Sequence, residues 1–486
     1  MSWDRASSSK QAATQEAALR TQIVDAVGPF SPFWRERLRG LGRTPAQVAD
    51  RAGLAALPAV GERDVCPDGD PASAAALVLQ AGESGYALHA PGPVLRRALV
   101  NRLVRPGSYR AVVEADTRPT SYVYAGLGLS FPVASTRSDL DVIARAGARL
   151  WQVLGLTAAD VLVAALPLTA TASLQALQLA ALGAGSPALF PGGLADEVAD
   201  ALALLGASVL ALPSGQAVRL LEDLDEAGAD LSAVRTVLLV GAPSAAERTG
   251  ATQALASTVS VLGVHVPDGH RLMWGECREG GPGLHTYPDL EVVELVDPET
   301  ADAATAGEVV LTQLGLRGSA LLRWRTADLA SSVTTEPCPG CGRSVPRVVG
   351  VRRAALVPAL NLRTDGPGGE RRTLERRSDG PTRLDRRSVE VRRVDLRAVA
   401  AALVGRADLA DWRVVAGTRA RDGADELLVY VVPRAGADLA DAAVGVARDV
   451  RTVAGLLPTQ VVVVGADELP EGAEPSRRVL VRGTAG

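Results

Sequence analysis

Four side chains far apart in sequence constrain what this chain can fold into more than any other feature. Cys277 and His285 lie eight positions apart, and Cys338 and Cys341 bound a Pro337-Cys338-Pro339-Gly340-Cys341-Gly342 turn. Zinc takes four sulfur or imidazole ligands tetrahedrally, and a CxxC turn lets two thiolates reach one ion. A site of Cys277, His285, Cys338 and Cys341 meets that ligand count, and it would bring residues 277–285 against 338–341 whatever intervenes. The same residues also read as two unrelated buried thiols beside a surface turn. Cys66 stands alone and reads as structural.

The segment from 139 to 265 decides the fold class. Helical apolar spacing over 139–154, 174–182 and 195–205 alternates with short apolar runs at 161–166, 187–190, 208–212 and 236–240. That alternation is the signature of βαβ units closing a largely parallel sheet. Residues 1–60 read as helices, with 11–27 at helical spacing and 45–52 capped by Thr44. Runs at 290–296 and 308–314 read as antiparallel strands. Beyond 398, strands at 412–416, 426–433 and 460–464 accompany a helix at 439–454. The expected class is α/β: a large N-terminal domain of βαβ units and mixed sheets, plus a small α+β C-terminal domain.

At 486 residues and 47% hydrophobic content, the chain can bury more than one core. Four cysteines in that length make no disulfide framework, which points to a reducing compartment. The opening shows no signal-peptide succession, and the longest apolar tract, 161–189, is broken by Pro167, Gly183, Gly185 and Pro187. The expectation is a cytoplasmic protein with no membrane partner. A net charge of −4 gives no footprint for nucleic acid.

Motifs between 276 and 343 follow one another in a specific order: Glu276-Cys277, Gly283-Leu284-His285, a turn over 296–300, a strand over 307–312, Arg323-Trp324-Arg325-Thr326-Ala327-Asp328, and the knuckle from Cys338 to Arg343. In that order they resemble the phenylacetate-CoA ligase branch of the adenylate-forming (AMP-binding) superfamily. The likeness extends upstream to Ser31–Leu38 and Leu57-Pro58, and downstream to Val414–Pro433.

The resemblance implies a large adenylate-forming domain over 1–350, a hinge and linker over 351–397, and a small ligase domain over 398–486. It implies ATP with magnesium and CoA as cofactors, and a carboxylic acid as substrate. It places Asp328 where the family carboxylate accepts hydrogen bonds from both ribose hydroxyls; a strand-end turn carboxylate is the other reading. The family phosphate loop falls on 125–131, where Gly126, Gly128 and Ser130 keep the character that phosphate oxygens need while Leu127 and Leu129 do not. The family's aromatic and magnesium-binding glutamate have no counterpart in 264–271. Trp274 stacking on adenine and Glu276 taking magnesium would be a contracted substitute; a structural Trp274 beside the knuckle is the alternative.

Two more departures concern the small domain. Val351-Arg352-Arg353-Ala354-Ala355 lacks the hinge aspartate, and 475–479 carries Arg477 and Arg478 where the family has its catalytic lysine. Lys10 is the only lysine in the chain, an outcome that coding bias toward arginine explains. The broad guanidinium does not replace an ammonium point charge at a developing phosphate charge. No catalytic residue is assigned on this reading.

Residues 363–397 are rich in arginine interleaved with acids, which reads as a solvated connector, or else as a site for CoA phosphates or a polyanionic partner. His265 and His270 read as ordinary solvated or hydrogen-bonded histidines, or as a general base. The expectation for function is a ligase-lineage protein whose acid activation by ATP is impaired or altered, a pseudoenzyme or repurposed member whose ligands would include a protein partner. The alternative is an active ATP-dependent acyl or aryl acid–CoA ligase that uses other residues.

Overall fold

The computed structural model describes residues 3–67, 70–80, 108–126, 131–353, 360–364, 390–394, 406–418, 425–454, 457–465 and 479–481, with a few isolated positions besides and without 169, 299 and 435. Two compact units emerge: Met1–Gly126 with Ser130–Arg353, and Leu127–Leu129 with Ala354–Gly486. Among the described residues, no helix is long and apolar enough to cross a membrane.

The first unit opens with helices α1 (Ser8–Thr21) and α2 (Pro32–Gly40). The helix expected over 11–27 changes its winding at Gln22, and Gln22–Val27 is a π-helix. There the Gln22 amide donates to the Leu316 carbonyl and accepts from Gly315 N–H, so a tertiary contact overrides the helical pattern. The expected helix over 45–52 splits into a 3-10 turn, Pro45–Val48, and a helix, Arg51–Ala55. Asp50 causes the break, since its carboxylate caps the second piece through Gly53 N–H at 2.7 Å.

A hairpin of β1 (Pro119–Ala125) and β2 (Phe131–Thr136) leads into α3 (Arg137–Val153). Then βαβ units follow: β3 (Leu162–Ala164), α4 (Thr171–Ala184), β4 (Ala188–Leu189), α5 (Ala195–Leu205), β5 (Val209–Pro213), α6 (Ala217–Glu226), β6 (Thr236–Val240), α7 (Ala245–Gln253) and β7 (Ser260–His265). The strands pair in parallel in the order β7-β6-β5-β3-β4. Four antiparallel strands extend the sheet beyond β7: β8 (Trp274–Gly275), β9 (Leu284–His285), and past β10 (Glu291–Val296), β11 (Gly307–Gln313) and β12 (Trp324–Ala330), the pair β13 (Ser332–Thr334) and β14 (Arg347–Val349). A separate antiparallel sheet runs β10-β11-β12-β15, with β15 at Arg352–Arg353. The α/β class expected from the sequence is the class observed.

Burial on both faces explains why the parallel strands read as unbroken apolar runs. Leu162, Ala164, Val209, Ala211 and Leu238 face Leu150, Trp151, Leu177 and Ala180 of α3 and α4. Their neighbours Val163, Leu210, Leu212, Val237 and Leu239 face Val198, Leu202, Leu220 and Leu224 of α5 and α6. Helices α3 and α4 approach closely through Gly147, where a Cβ would stand 2.3 Å from Ala180 Cα.

Two buried carboxylates fasten the layers. Asp139 accepts from the N–H groups of Thr136, Arg317 and Gly318, joining the start of α3 to the loop before β12. Beside it the Arg271 guanidinium, sealed from solvent, donates to the carbonyls of Ala134 and Ser319 and to the Gln313 amide oxygen. Asp160, after α3, accepts from Thr157 N–H at 2.8 Å, Ser208 Oγ at 2.9 Å and Arg235 Nη2 at 2.8 Å.

The second unit is a mixed sheet in the order β20-β19-β18-β21, from β18 (Leu409–Thr418), β19 (Asp425–Pro433), β20 (Gln460–Val463) and β21 (Val479–Val481). Helix α8 (Leu439–Ala454) supplies Ala442, Val446 and Val450 to a core with Trp412, Val414, Val429 and Val431. A two-stranded sheet of β16 (Leu360–Thr364) and β17 (Glu390–Val394) also belongs to it. Most of the arginine-rich segment 363–397, the hinge positions Ala354 and Ala355, and Arg477 and Arg478 lie outside the described residues.

Burial alone would raise the Asp160 carboxyl, but the hydrogen bonds from Thr157, Ser208 and Arg235 outweigh it and hold the group below the usual carboxylate range. Its stabilisation is therefore present above the ordinary aspartate value of about 3.9 and is lost as pH falls through the depressed folded value. Asp160→Ala is expected to remove about 2–3 kcal/mol at neutral pH. In urea titrations the gap between wild type and variant should close progressively below about pH 4.

Candidate functional site

The four predicted metal ligands meet at the far edge of the large sheet. Cys277 follows β8, His285 ends β9, and Cys338 and Cys341 form the turn between β13 and β14. Their donor atoms all lie within 4.8 Å of one another. Sulfurs held about 2.3 Å from a tetrahedral ion sit about 3.8 Å apart; Cys277 Sγ and Cys338 Sγ are 3.7 Å apart, and Cys341 Sγ is 3.3 Å from His285 Nε2. All four cysteines of the chain are free thiols.

The surroundings fit a cation. Burial pushes the Cys277 thiol up to about 12, and the neighbouring thiols add to the rise. Burial also drives His285 down to about 4, with Arg347 and Arg343 adding to the fall, so its imidazole is neutral, the form that ligates metal. Its Nδ1 lies 3.3 Å from the Gly275 carbonyl, which leaves Nε2 for the ion. At Cys338 burial acts upward, but the N–H groups of Cys341 and Gly340 outweigh it and the thiol is held below its ordinary value. Gly281 makes the cradle: a Cβ there would stand 2.1 Å from Cys338 Sγ. Arg343 ties the knuckle to Asp4 at 2.9 Å. Four protein ligands leave no open position, so a zinc ion here would be structural.

A second site forms where the parallel strands end. A cavity of ≈ 480 Å³ is lined by Leu166 and Pro167 after β3, Ser214 after β5, Val240 and Gly241 at the end of β6, His265 at the end of β7, and Val266 to Gly269 after it. Ligands of α/β sheets bind outside the carboxyl ends of the strands, and this cavity has that position. Its rim is pinned by Tyr124 N–H to Thr171 Oγ1 at 2.9 Å and by Gly126 N–H to the Asp268 carboxylate at 3.0 Å. Gly126 has φ 92°, a left-handed conformation that favours glycine.

Asp328 lies on β12, outside the cavity lining, and has no solvent exposure. Its Oδ2 is 2.7 Å from His265 Nε2, and His265 is itself 2% exposed. The residue before it, Ala327, has φ 58° at a bulge where β11 and β12 shift register. A glycine would suit this φ; an alanine there costs on the order of 1–2 kcal/mol. Glu308 compensates by accepting Ala327 N–H at 3.0 Å and binding Arg325.

The other sequence candidates lie elsewhere. Trp274, on β8, is sealed in the core, with Nε1 donating to Glu291 of β10 at 2.9 Å, so it has no free face for a purine. Glu276 pairs with Arg248 at 2.8 Å and accepts Gly263 N–H at 2.7 Å, and it is absent from the cavity lining. Gly128 and Ser130 lie outside the described residues. His270 bonds Glu291 at 2.5 Å and is fully enclosed, unlike the solvated histidine that was one of its readings. Cys66 is buried, and burial raises its thiol, the state of an inert structural cysteine. Sequence reasoning missed the His265–Asp328 pair and Asp268; the signal for the first was an ionisable residue inside the apolar run 261–266.

Among solved structures, the chain is similar to 2-hydroxyisobutyryl-CoA ligase. Against that ligase in its postadenylation state with R3-HIB-AMP, the TM-score is 0.58 at 17% identity, over 99% of this chain and 91% of the other. Against an open conformation with 2-HIB-AMP and CoA it is 0.59 at 18% identity, over 98% and 93%. Against the thioesterification state it is 0.59 at 17%, over 99% and 91%. The chain therefore has the fold of adenylate-forming CoA ligases. No family model and no curated protein sequence matches it.

The purified protein is expected to carry one equivalent of zinc by elemental analysis, and Cys338→Ser and Cys341→Ser to carry none. Zinc at a thousandfold its Kd would contribute about 4 kcal/mol, so chelation should lower the unfolding midpoint of the wild type and leave both variants unmoved.

Proposed function

We propose that this chain keeps the scaffold of the phenylacetate-CoA ligase branch, steadied by zinc, while its ATP-driven activation of carboxylic acids is lost or altered. It acts as a repurposed binding protein around the strand-end cavity. On this reading the adenylate-forming body spans 1–350, an arginine-rich connector 351–397, and the small domain 398–486.

The observation that carries the reading is the engagement of Asp328. A carboxylate that accepts hydrogen bonds from ribose must face the nucleotide; this one is sealed and bonded to His265. The rest of the cavity agrees. Among the described residues its charged lining consists of Glu247 and Asp268, with no arginine or lysine. Phosphoryl transfer is served by positive charge and close donors, and the described lining residues supply no such charge. Lys10, the chain's single lysine, is exposed on α1.

A second reading, an active acid–CoA ligase running on different residues, is favoured by Asp268. Its half-buried carboxylate lines the cavity and could take magnesium in place of the missing glutamate. Carboxylic acids and CoA would then be its small-molecule partners.

ATP–pyrophosphate exchange across a panel of acids, including phenylacetate and 2-hydroxyisobutyrate, separates the two. Loss of a single transition-state donor typically costs ~10²–10³-fold, so zinc-loaded protein should show no acid-dependent exchange above background. Exchange that depends on acid and disappears in Asp268→Asn would establish the second reading instead.

A further inference from the structure

The cysteine–histidine cluster is tied directly to the start of the chain. We infer that residues 4–14 form a strap latched by the metal, held down while zinc fills the site of Cys277, His285, Cys338 and Cys341 and released when it is withdrawn. The inference rests on zinc at that cluster and uses nothing in the strand-end cavity.

The strap has little of its own to hold it. Between Asp4 and Ala18 the sequence contains no leucine, isoleucine, valine, methionine or aromatic residue. The buried side chains of α1 are Gln11, Gln15 and Leu19, so large apolar anchoring begins at Leu19, in the last turn of the helix. Isolated helices shorter than about 12–15 residues are marginal in water, and the first turns of α1 depend on contacts outside themselves.

Those contacts go to the knuckle. Arg343 Nε donates to Asp4 Oδ2 at 2.9 Å in a largely buried pair, and Ser344 N–H donates to the Asp4 carbonyl at 2.8 Å. Ser344 Oγ donates to the Ala6 carbonyl at 2.7 Å and accepts from Gln11 Nε2 at 3.1 Å. Arg5 reaches the carbonyl of the ligand Cys341 at 3.4 Å. Gln15 Nε2 donates instead to the Glu291 carbonyl at 2.6 Å, which places the inner end of the strap at Thr14.

The knuckle in turn leans on the ion. Its apolar support is a cluster made of Val153 and the three cysteines themselves. Its turn is closed by Cys338 N–H to the Arg343 carbonyl and Gly342 N–H to the Cys338 carbonyl, both at 2.8 Å, and Arg343 also donates to the Gln152 carbonyl at 2.9 Å. An ion bound by all four ligands crosslinks this turn to β8 and β9, and its binding free energy is then folding free energy of the segment. Thiols are weak hydrogen-bond donors and do not replace that crosslink. Withdrawing the ion therefore loosens 341–344, the residues that grip the strap, while the parallel sheet keeps cores of its own on both faces.

The test is hydrogen–deuterium exchange read by mass spectrometry on the full chain, zinc-loaded and after chelation, with zinc content measured by elemental analysis on the same samples. Losing several net hydrogen bonds together should speed exchange over 4–14 by about tenfold or more. Val209–Pro213 and Thr236–Val240 should stay as slow as before, and restoring zinc should restore the strap. Asp4→Ala combined with Gln11→Ala leaves all four ligands in place. That variant should hold one equivalent of zinc, exchange fast over 4–14 with zinc bound, and gain little more on chelation.

Zinc removal that leaves 4–14 as protected as before overturns the inference and leaves the metal site standing. An equal rise across the parallel sheet overturns it too, because the ion then holds the whole unit and not a strap. So does a zinc-bound double variant with wild-type protection over 4–14. A chain that takes up no zinc sinks the metal reading and the strap with it.

Discussion

The hydrogen bond between His265 and Asp328 is the constraint on which the candidate site depends. His265 ends the last parallel strand of the large sheet, and Asp328 lies on the four-stranded antiparallel sheet. Both are almost wholly enclosed. A carboxylate taken out of water must find donors, and removing one partner of such a pair leaves an uncompensated buried group worth about 3–5 kcal/mol. The pair therefore fixes how two sheets meet and sets the histidine ring as a cavity wall.

The cysteine–histidine cluster and the polar junctions do the corresponding work at other seams. The Cys277, His285, Cys338 and Cys341 cluster joins β9 to the turn before β14 and, through Arg343, to the N-terminal Asp4. Arg271, Asp139 and Gln313 join β2, the start of α3 and the end of β11. These contacts bridge segments more than a hundred residues apart in several cases, where apolar burial alone is non-directional and would not choose one register.

The parallel strands and their helices were legible because period-2 and period-3.6 patterns are local, and burial on both faces makes them stronger. Ala195–Leu205, Thr236–Val240 and Leu439–Ala454 have the bounds that the apolar pattern gives. The proximity of the four metal-ligand side chains was also open to reading, since ligand chemistry demands a meeting that periodicity cannot show. The His265–Asp328 pair was not legible: its members are 63 residues apart, and a single polar contact leaves no local signature. For Trp274 and Glu276 the sequence left a nucleotide contact and a structural role both open, for a related reason. An aromatic and an acid close in sequence carry no local sign of their distant partners, Glu291 for Trp274 and Arg248 for Glu276.

The central claim is that the carboxylate at 328 serves the fold and no longer a nucleotide. Calorimetric titration of zinc-loaded protein with AMP, and with ATP and magnesium, tests it most directly, with Asp328→Ala as the control. No saturable heat from either nucleotide in the wild type is the result the account predicts. Saturable binding by the wild type that Asp328→Ala abolishes, in a variant that remains folded, would contradict it and return the chain to the ligases whose fold it shares.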